Sequence, residues 1–449
     1  MHHRPARHRS RTVRRLIAVG SAAAVASLSL AACSAGSGSG DSPKTLTVQV
    51  QAAQIPAFKN VAKEFEKENK GVTVKLQTLT DEQKITTNGQ ILASNNAPDV
   101  GIVPTNAQSY TDLIKANALL PLDDVWKDQN LESRYGSAVA DSLKSNGTPY
   151  VVLFDKTFYN LIFYNKDAFA AAGITVPANR QVASNADLYK MVDALKAKGY
   201  EGIANGGNDG YRWGWMLDAQ LFANASKSAF TNLTTSWQPG QKQTVKYTSP
   251  QFTDSVKQLK DWYDHGVFTD GVLGQSDDQA QALFTSGKAA MVLDGAFSPP
   301  TIDQENPKFQ YDWLLMPSLT SGTSTIPTAY AGDTFAISKK AKNPDLAKKF
   351  VELFVTDTMQ ADQAKITGAL PAVTVDPSTI PSLGAKVQSI VDYAAKNGSG
   401  VGWTSVAPGG LAQSFFDPQM VKVLGGQQTV AQLAQAQQQQ FETFTAQNG

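Results

Sequence analysis

The apolar positions of residues 45–76 change period twice. Over 45–50, Leu46, Val48 and Val50 alternate with polar residues, the two-residue period of a half-buried strand. Pro56 then opens a stretch in which Phe58, Val61, Ala62 and Phe65 recur at i, i+3, i+4 and i+7. Lys59, Lys63, Glu64, Glu66 and Lys67 fill the other face, so this is an amphipathic helix, and Gly71 is its natural stop. Val72, Val74 and Leu76 alternate again. Strand, helix and strand in this order predict a β-α-β unit, and hence a parallel sheet with helices on its faces.

The same reading predicts a helix over 81–94, a short buried strand over 100–103, and a helix carrying Tyr110, Leu113 and Ile114. Apolar runs at 150–154 and 161–164 flank a polar insert, Asp155-Lys156-Thr157. Helices follow over 186–198, 253–265, 277–286 and 344–355, with a strand over 327–338. A terminal helix covers 428–446, where Val430, Leu433, Ala434, Phe441 and Phe444 keep helical spacing through the glutamine run 437–440. No fixed-period repeat is visible.

The first 32 residues follow a different logic. Residues 1–15 are Arg-rich, and 16–32 form a modest apolar stretch of small residues: the charged region, apolar region and small-residue end of a secretory signal. Gly20, Ser21, Ser27 and Ser29 keep that stretch too weakly apolar for a membrane span. Leu30-Ala31-Ala32-Cys33 resembles a bacterial lipobox, which implies that Cys33, the chain's single cysteine, becomes a lipidated N-terminus. Arg14-Arg15 fits a twin-arginine signal poorly, which favours the general export route. Residues 34–43 are Gly/Ser-rich, a flexible tether of roughly 17 Å average span.

Removing the leader changes the charge balance. Of 40 Lys+Arg, six Arg lie in residues 1–32 with no acid, leaving 34 basic against 39 acidic residues, a net charge of −5. That argues against nucleic acid as a partner. At 42% hydrophobic and 18% charged residues, the chain is also too apolar to be disordered. Three of its four His lie in the leader, so His265 and Cys33 cannot build a zinc site or a thiol–imidazole pair, and no metal or cofactor is expected.

Five ordered segments resemble the extracellular solute-binding proteins of sugar ABC transporters, the family that includes maltose-binding protein. They are 63–74; Ala97-Pro98-Asp99-Val100 with Leu119-Leu120-Pro121-Leu122; Phe163-Tyr164-Asn165-Lys166-Asp167-Ala168-Phe169 with Ala172-Gly173-Ile174 and Pro177; 284–295; and 316–371, ending in Gly368-Ala369-Leu370-Pro371. One departure is Ala178-Asn179-Arg180, where the family usually has Thr-Trp.

The resemblance implies a two-lobed α/β fold of the periplasmic-binding-protein type, with mixed sheets flanked by helices and a hinge crossed three times, near 153–157, 329–333 and 373–377. The expected organisation is a signal peptide over 1–32, a lipidated linker over 33–44, an N-terminal lobe of 45–153 with 332–374, and a C-terminal lobe of 154–331 with 375–449. It also implies a carbohydrate ligand held between the lobes, transmembrane permease subunits as partners, a monomer, and a lipid anchor on the extracytoplasmic face of the cell membrane.

A sugar offers an apolar C–H face and a rim of hydroxyls, so its site needs flat aromatics and planar polar groups. Tyr211-Arg212-Trp213-Gly214-Trp215 follows the glycine-rich loop 205–210. Tyr211 or Trp213 is expected to face the cleft, with Trp215 as the first core residue of a helix carrying Leu217 and Leu221. Asp294-Gly295-Ala296-Phe297 matches the position where maltose-binding protein presents a stacking aromatic, so the resemblance assigns Phe297 that role, beside Asp294. Trp403, in the Gly-rich stretch Gly402-Trp403-Thr404, is either a third platform or a surface-loop residue. Gln54 and Asn106, each just past a strand, and Asp155 and Asp333, near the crossings, complete the candidate polar ligands. Each carboxylate has a second reading, as a helix cap or a lysine partner. Trp126, Trp237, Trp262 and Trp313 read as packing residues.

Two other classes stay open. The same architecture serves anions, polyamines and phosphosugars. A secreted glycoside hydrolase needs only two carboxylates about 5–10 Å apart, which sequence spacing cannot exclude. No Gly-x-Ser-x-Gly elbow or P-loop lysine is present, and the aromatic-plus-amide mix favours a neutral sugar and a binding protein over an enzyme. The leader generates its own prediction. Cys33→Ala should release the protein from membranes without changing ligand binding, read by fractionation after leader cleavage is confirmed; a processed mutant that stays membrane-bound contradicts the anchor.

Overall fold

The computed structural model describes residues 44–448 apart from 52–53, 80–82, 85–86, 106, 136, 239, 321–322, 331, 368–369, 376–383 and 408–409. Cys33 and Asn106 therefore lie outside the described residues. The opening unit forms as its periods predict. Strand β1 (Lys44–Gln51) pairs in parallel with β2 (Val72–Leu79), and the helix Ile55–Glu68 joins them, burying Phe58, Val61 and Phe65. Next come β3 (Gly101–Ile102), a hairpin of β4 (Lys144–Ser145) and β5 (Thr148–Pro149), and β6 (Val151–Leu153).

These elements build a first core that draws on two stretches of chain, 46–154 and 335–375. Four phenylalanines join the stretches. Phe58 stacks on Phe154 at 5.3 Å and on Phe354 at 5.2 Å, and Phe335 stands edge-on to Phe154 at 4.7 Å. Such ring pairs contribute beyond the area they bury.

A second body of core lies around a mixed four-stranded sheet of β8 (Leu161–Asn165), β9 (Glu201–Ala204), β10 (Ala289–Asp294) and β11 (Tyr311–Leu314), in the order β11-β8-β10-β9. Every residue of β8 and β10 is buried. Leu161 and Phe163 face one apolar cluster, Ile162 and Tyr164 the other. A strand covered on both faces reads as a continuous apolar run, which explains the unbroken pattern at 161–164. The larger cluster extends through Trp213, Leu217, Trp262, Trp403 and Phe416 to Phe444 of the terminal helix Val430–Asn448.

The polar insert Asp155-Lys156-Thr157 lies where the chain leaves the first core. Thr157 already begins β7 (Thr157–Tyr159), which pairs antiparallel with β12 (Thr328–Tyr330), while β6 pairs antiparallel with β13 (Thr334–Ala336). The single strand expected over 327–338 is thus two strands in different sheets, Thr328–Tyr330 paired with β7 and Thr334–Ala336 paired with β6. β12 also pairs with β14 (Gly400–Val401). A third segment reaches the same place: Leu370 bridges Lys156, Val375 belongs to the first core and Ile390 to the second. The chain thus changes core three times, as expected.

Other departures are local. The strand expected over 100–103 shrinks to Gly101–Ile102. The helix Gln413–Leu424, absent from the sequence reading, carries Pro418 in its interior, where proline normally argues against a helix.

Where the crossings meet, glycine is required. Gly332 has φ +86°, and a Cβ there would overlap the Asp155 carbonyl oxygen; Gly71, at φ +82°, faces open space. Both substitutions to Ala incur the left-handed penalty of about 1–2 kcal/mol, and only Gly332→Ala adds the overlap. Gly332→Ala should therefore lose measurably more stability in urea than Gly71→Ala; equal losses would mean that the crossing relaxes freely.

Candidate functional site

Two groups of candidates meet at these crossings. On the first-core side, Asp333 accepts hydrogen bonds from Gln51 Nε2 at 2.9 Å and Lys84 Nζ at 2.7 Å. Its backbone N–H donates to Asp155 Oδ1 at 2.9 Å, tying the two crossings together. Phe154 N–H donates to the Asp333 carbonyl at 2.7 Å. Gln54 is the residue before the helix Ile55–Glu68, yet its side chain does not cap the helix; it hydrogen-bonds Asp155 instead. Two buried acceptors here have no partner among the described residues, Asp333 Oδ1 and Gln54 Oε1. Burial pushes the Asp155 carboxyl above the usual carboxylate range, and the Asp333 charge adds to the push. Of the two readings left open for Asp333, lysine pairing is realised through Lys84.

On the second-core side stands an aromatic group. Phe297, just ahead of the helix Ser298–Gln304, is 40% exposed, one of the few large apolar side chains left in solvent. Its loop is fixed to the strand leaving the hinge, because Ala296 N–H donates to the Phe158 carbonyl at 2.7 Å. Behind Phe297 lies Trp215, ring centroids 6.4 Å apart at 69°. Trp215 also meets Tyr159 at 4.8 Å and Tyr211 at 5.1 Å. Tyr211 is partly exposed, and its hydroxyl donates to Asp277 Oδ2.

Three candidates are placed differently from expectation. Trp213 is fully buried, donating Nε1–H to the Gly207 carbonyl at 3.0 Å and packing edge-on to Phe268. The reason is helical spacing: Trp213, Leu217 and Leu221 are four apart and share the core face, whereas Trp215 shares the Tyr211 face. Trp403 is also fully buried, donating to the Tyr247 hydroxyl at 3.1 Å among Phe252 and Phe416. Asp294 is 5% exposed and its Oδ1 accepts from Arg212 and from Gly295 N–H, so it braces the Phe297 loop. Sequence reasoning missed Trp215, Tyr159 and Arg212. The signal for Trp215 was its i+4 spacing from Tyr211.

Two carboxylates behind the aromatic group have no basic partner. Asp417 Oδ1 accepts from Trp213 N–H at 3.0 Å and Gly214 N–H at 3.1 Å, capping the helix Arg212–Asn224 from a different helix. Asp218 accepts from Tyr159 OH at 2.8 Å, from Thr404 N–H at 3.1 Å and from the Thr404 hydroxyl. Burial raises both to about 7. No described helix is long and apolar enough to cross a membrane, and the described residues contain no group of His, Cys, Asp and Glu suited to a metal ion.

Known proteins share this fold. The model of the bacterial extracellular solute-binding protein family matches residues 51–361, and the chain belongs to that family. It is 25% identical over 317 residues to the multiple sugar-binding protein of Streptococcus mutans, covering 70% of this chain and 71% of that one. Among solved structures, a chitin oligosaccharide binding protein superposes with a TM-score of 0.76 at 23% identity, over 90% of this chain and 99% of that one. The GacH receptor of Streptomyces glaucescens, solved unliganded and with acarbose, gives 0.71 at 19% identity, over 90% and 98%. The family is one of extracytoplasmic binding proteins, and the shared fold is two-lobed.

The buried carboxylates give a pH prediction. A free Asp titrates near 3.9, so with folded-state values near 7 the native protein binds more protons than the unfolded chain between about pH 4 and 7. Their contribution is fully present below pH 4 and is lost as pH rises through 7. Asp417→Asn should therefore flatten the fall in unfolding free energy between pH 5 and 8, measured by urea titration. Parallel curves for mutant and wild type would contradict a neutral Asp417.

Proposed function

We propose that this protein is the binding subunit of an ABC importer, which captures a carbohydrate, an oligosaccharide in particular, between its lobes and delivers it to transmembrane permease subunits. It works as a monomer held by a lipid on Cys33 at the extracytoplasmic face of the membrane. The lobes are 45–153 with 332–374, and 154–331 with 375–449; the separate apolar cores support that division.

The observation that carries the reading is Phe297: a large exposed ring, backed by Trp215 and Tyr211, beside a hinge with unpartnered acceptors. Phe297 and Tyr211 take the C–H face of the sugar. Gln54, Asp155 and Asp333 accept its hydroxyl protons from the hinge, and Asn106 adds a contact from just past Gly101–Ile102. The relatives support the ligand class: multiple sugars for the Streptococcus mutans protein, chitin oligosaccharide and acarbose for the two structures. With Trp213 and Trp403 enclosed, the stacking falls to Phe297 with Tyr211.

Stacking removes apolar area from water on both partners. About 60 Å² at about 25 cal/mol per Å² gives roughly 1.5 kcal/mol, about tenfold in dissociation constant. A thermal-shift panel of mono- and oligosaccharides, oxyanions and polyamines should give its largest stabilisation with a saccharide. Phe297→Ala should then weaken that saccharide about tenfold by calorimetry and leave the melting temperature of the empty protein nearly unchanged. A shift with oxyanions or polyamines alone would replace the carbohydrate reading.

A further inference from the structure

We infer that Arg212 is the positioning residue of the aromatic platform, holding Tyr211, Trp215 and Phe297 in one arrangement through a two-carboxylate brace. The inference rests on the carbohydrate reading for its ligand and on geometry for everything else. Arg212 opens the helix Arg212–Asn224 and is 4% exposed. Its Nε donates to Asp277 Oδ1 at 2.6 Å, and its Nη1 donates to Asp294 Oδ1 at 3.0 Å and to the Leu293 carbonyl at 3.2 Å. The guanidinium carbon lies 4.5 Å from the Trp215 ring centroid and 5.2 Å from that of Tyr211.

Each ring is one step from this cation. Trp215 is stacked on it directly. Tyr211 is reached through Asp277, whose second oxygen accepts the Tyr211 hydroxyl proton. Phe297 is reached through Asp294, whose oxygen also holds Gly295 N–H at the start of the Phe297 loop. Gly295 is needed there, because a Cβ would strike the Phe297 ring. The brace is anchored on its far side as well. Asp277 N–H donates to Asp209 Oδ2 at 2.6 Å, and a Cβ on Gly206 would overlap the Asp277 carboxylate.

Charge neutralisation alone does not require this geometry. A lysine would balance Asp277 and Asp294 equally, but it has neither the planar fork that reaches both carboxylates nor a flat face to lie on Trp215. Arg212 is only 4% exposed, so it acts on a ligand through the rings it holds.

The test compares Arg212→Lys with wild type, using whichever of raffinose, chitotriose, xylotriose and maltotriose shifts the wild-type melting temperature most. Arg212→Lys is expected to fold, to bind that saccharide at least tenfold more weakly, and to lose the ligand-free near-ultraviolet circular dichroism of the coupled rings, as Trp215→Phe should. Wild-type affinity and an unchanged spectrum in Arg212→Lys would overturn the positioning role. If Arg212→Lys does not fold, Tyr211→Phe removes one link of the brace at a partly exposed site. A several-fold loss of affinity then supports the brace, and unchanged affinity overturns it. Failure of all four saccharides to bind wild type would count against the carbohydrate reading, while the ligand-free spectrum still decides the role of Arg212.

Discussion

Two separate apolar cores share one chain, which passes between them three times, and two of these crossings run side by side, antiparallel. On one side β6 pairs with β13 and on the other β7 with β12, with residues 154–156 between β6 and β7. The Asp333 N–H to Asp155 bond and the glycine-tight approach at Gly332 fasten the crossings to each other. The first apolar cluster ends at Phe154, and none of residues 155–157 belongs to either core. Hydrophobic burial is what resists deformation in a packed protein, so the compliance of this one is concentrated where burial is absent. Discrete closing motions need that distribution.

The same place concentrates the polar chemistry. Carboxylates and amides that would be costly in either core sit at the boundary, partly satisfied by Lys84 and Gln51 and partly left with unused acceptors. The aromatic group lies next to it because Ala296 and Gly295 pack against Phe158, three residues beyond Asp155. An apolar platform beside unpartnered acceptors matches the two-faced chemistry of a sugar ring. Farther in, Asp218 and Asp417 hold the helix that carries the platform, at the expense of two buried carboxyls that burial keeps protonated until pH nears 7.

Much of the fold was legible because local period and burial agree in it. β1, the helix after it and β2 appear within a residue or two of their pattern, and so do the helices Asn185–Lys196 and Asp277–Thr285. What failed depended on partners remote in sequence. Residues 327–338 read as one strand, since nothing local reveals that Tyr330 pairs with Thr157 while Thr334 pairs with Leu153. Gln413–Leu424 was hidden by Pro418. At the site, Phe297 and the hinge carboxylates Asp155 and Asp333 were placed through family resemblance. Trp213 was offered as a platform although its spacing argued otherwise, since 213, 217 and 221 share a face; Trp215, read as a core residue, is indeed buried, but behind Phe297. Trp403 gave no such clue, because its enclosure comes from Tyr247, Phe252 and Phe416.

The central claim is that the two cores move as bodies about these crossings when ligand binds. Lys67, on the helix after β1, and Lys257, on the helix Pro250–Asp264, have well-exposed side chains on different cores. Spin labels at Lys67→Cys and Lys257→Cys, in protein lacking the leader cysteine, report the distance between the cores. A second pair at Lys67 and Lys127 lies within one core. Saturating saccharide should shorten the first distance and leave the second unchanged. An unchanged first distance, with binding confirmed by calorimetry on the same sample, would contradict the account.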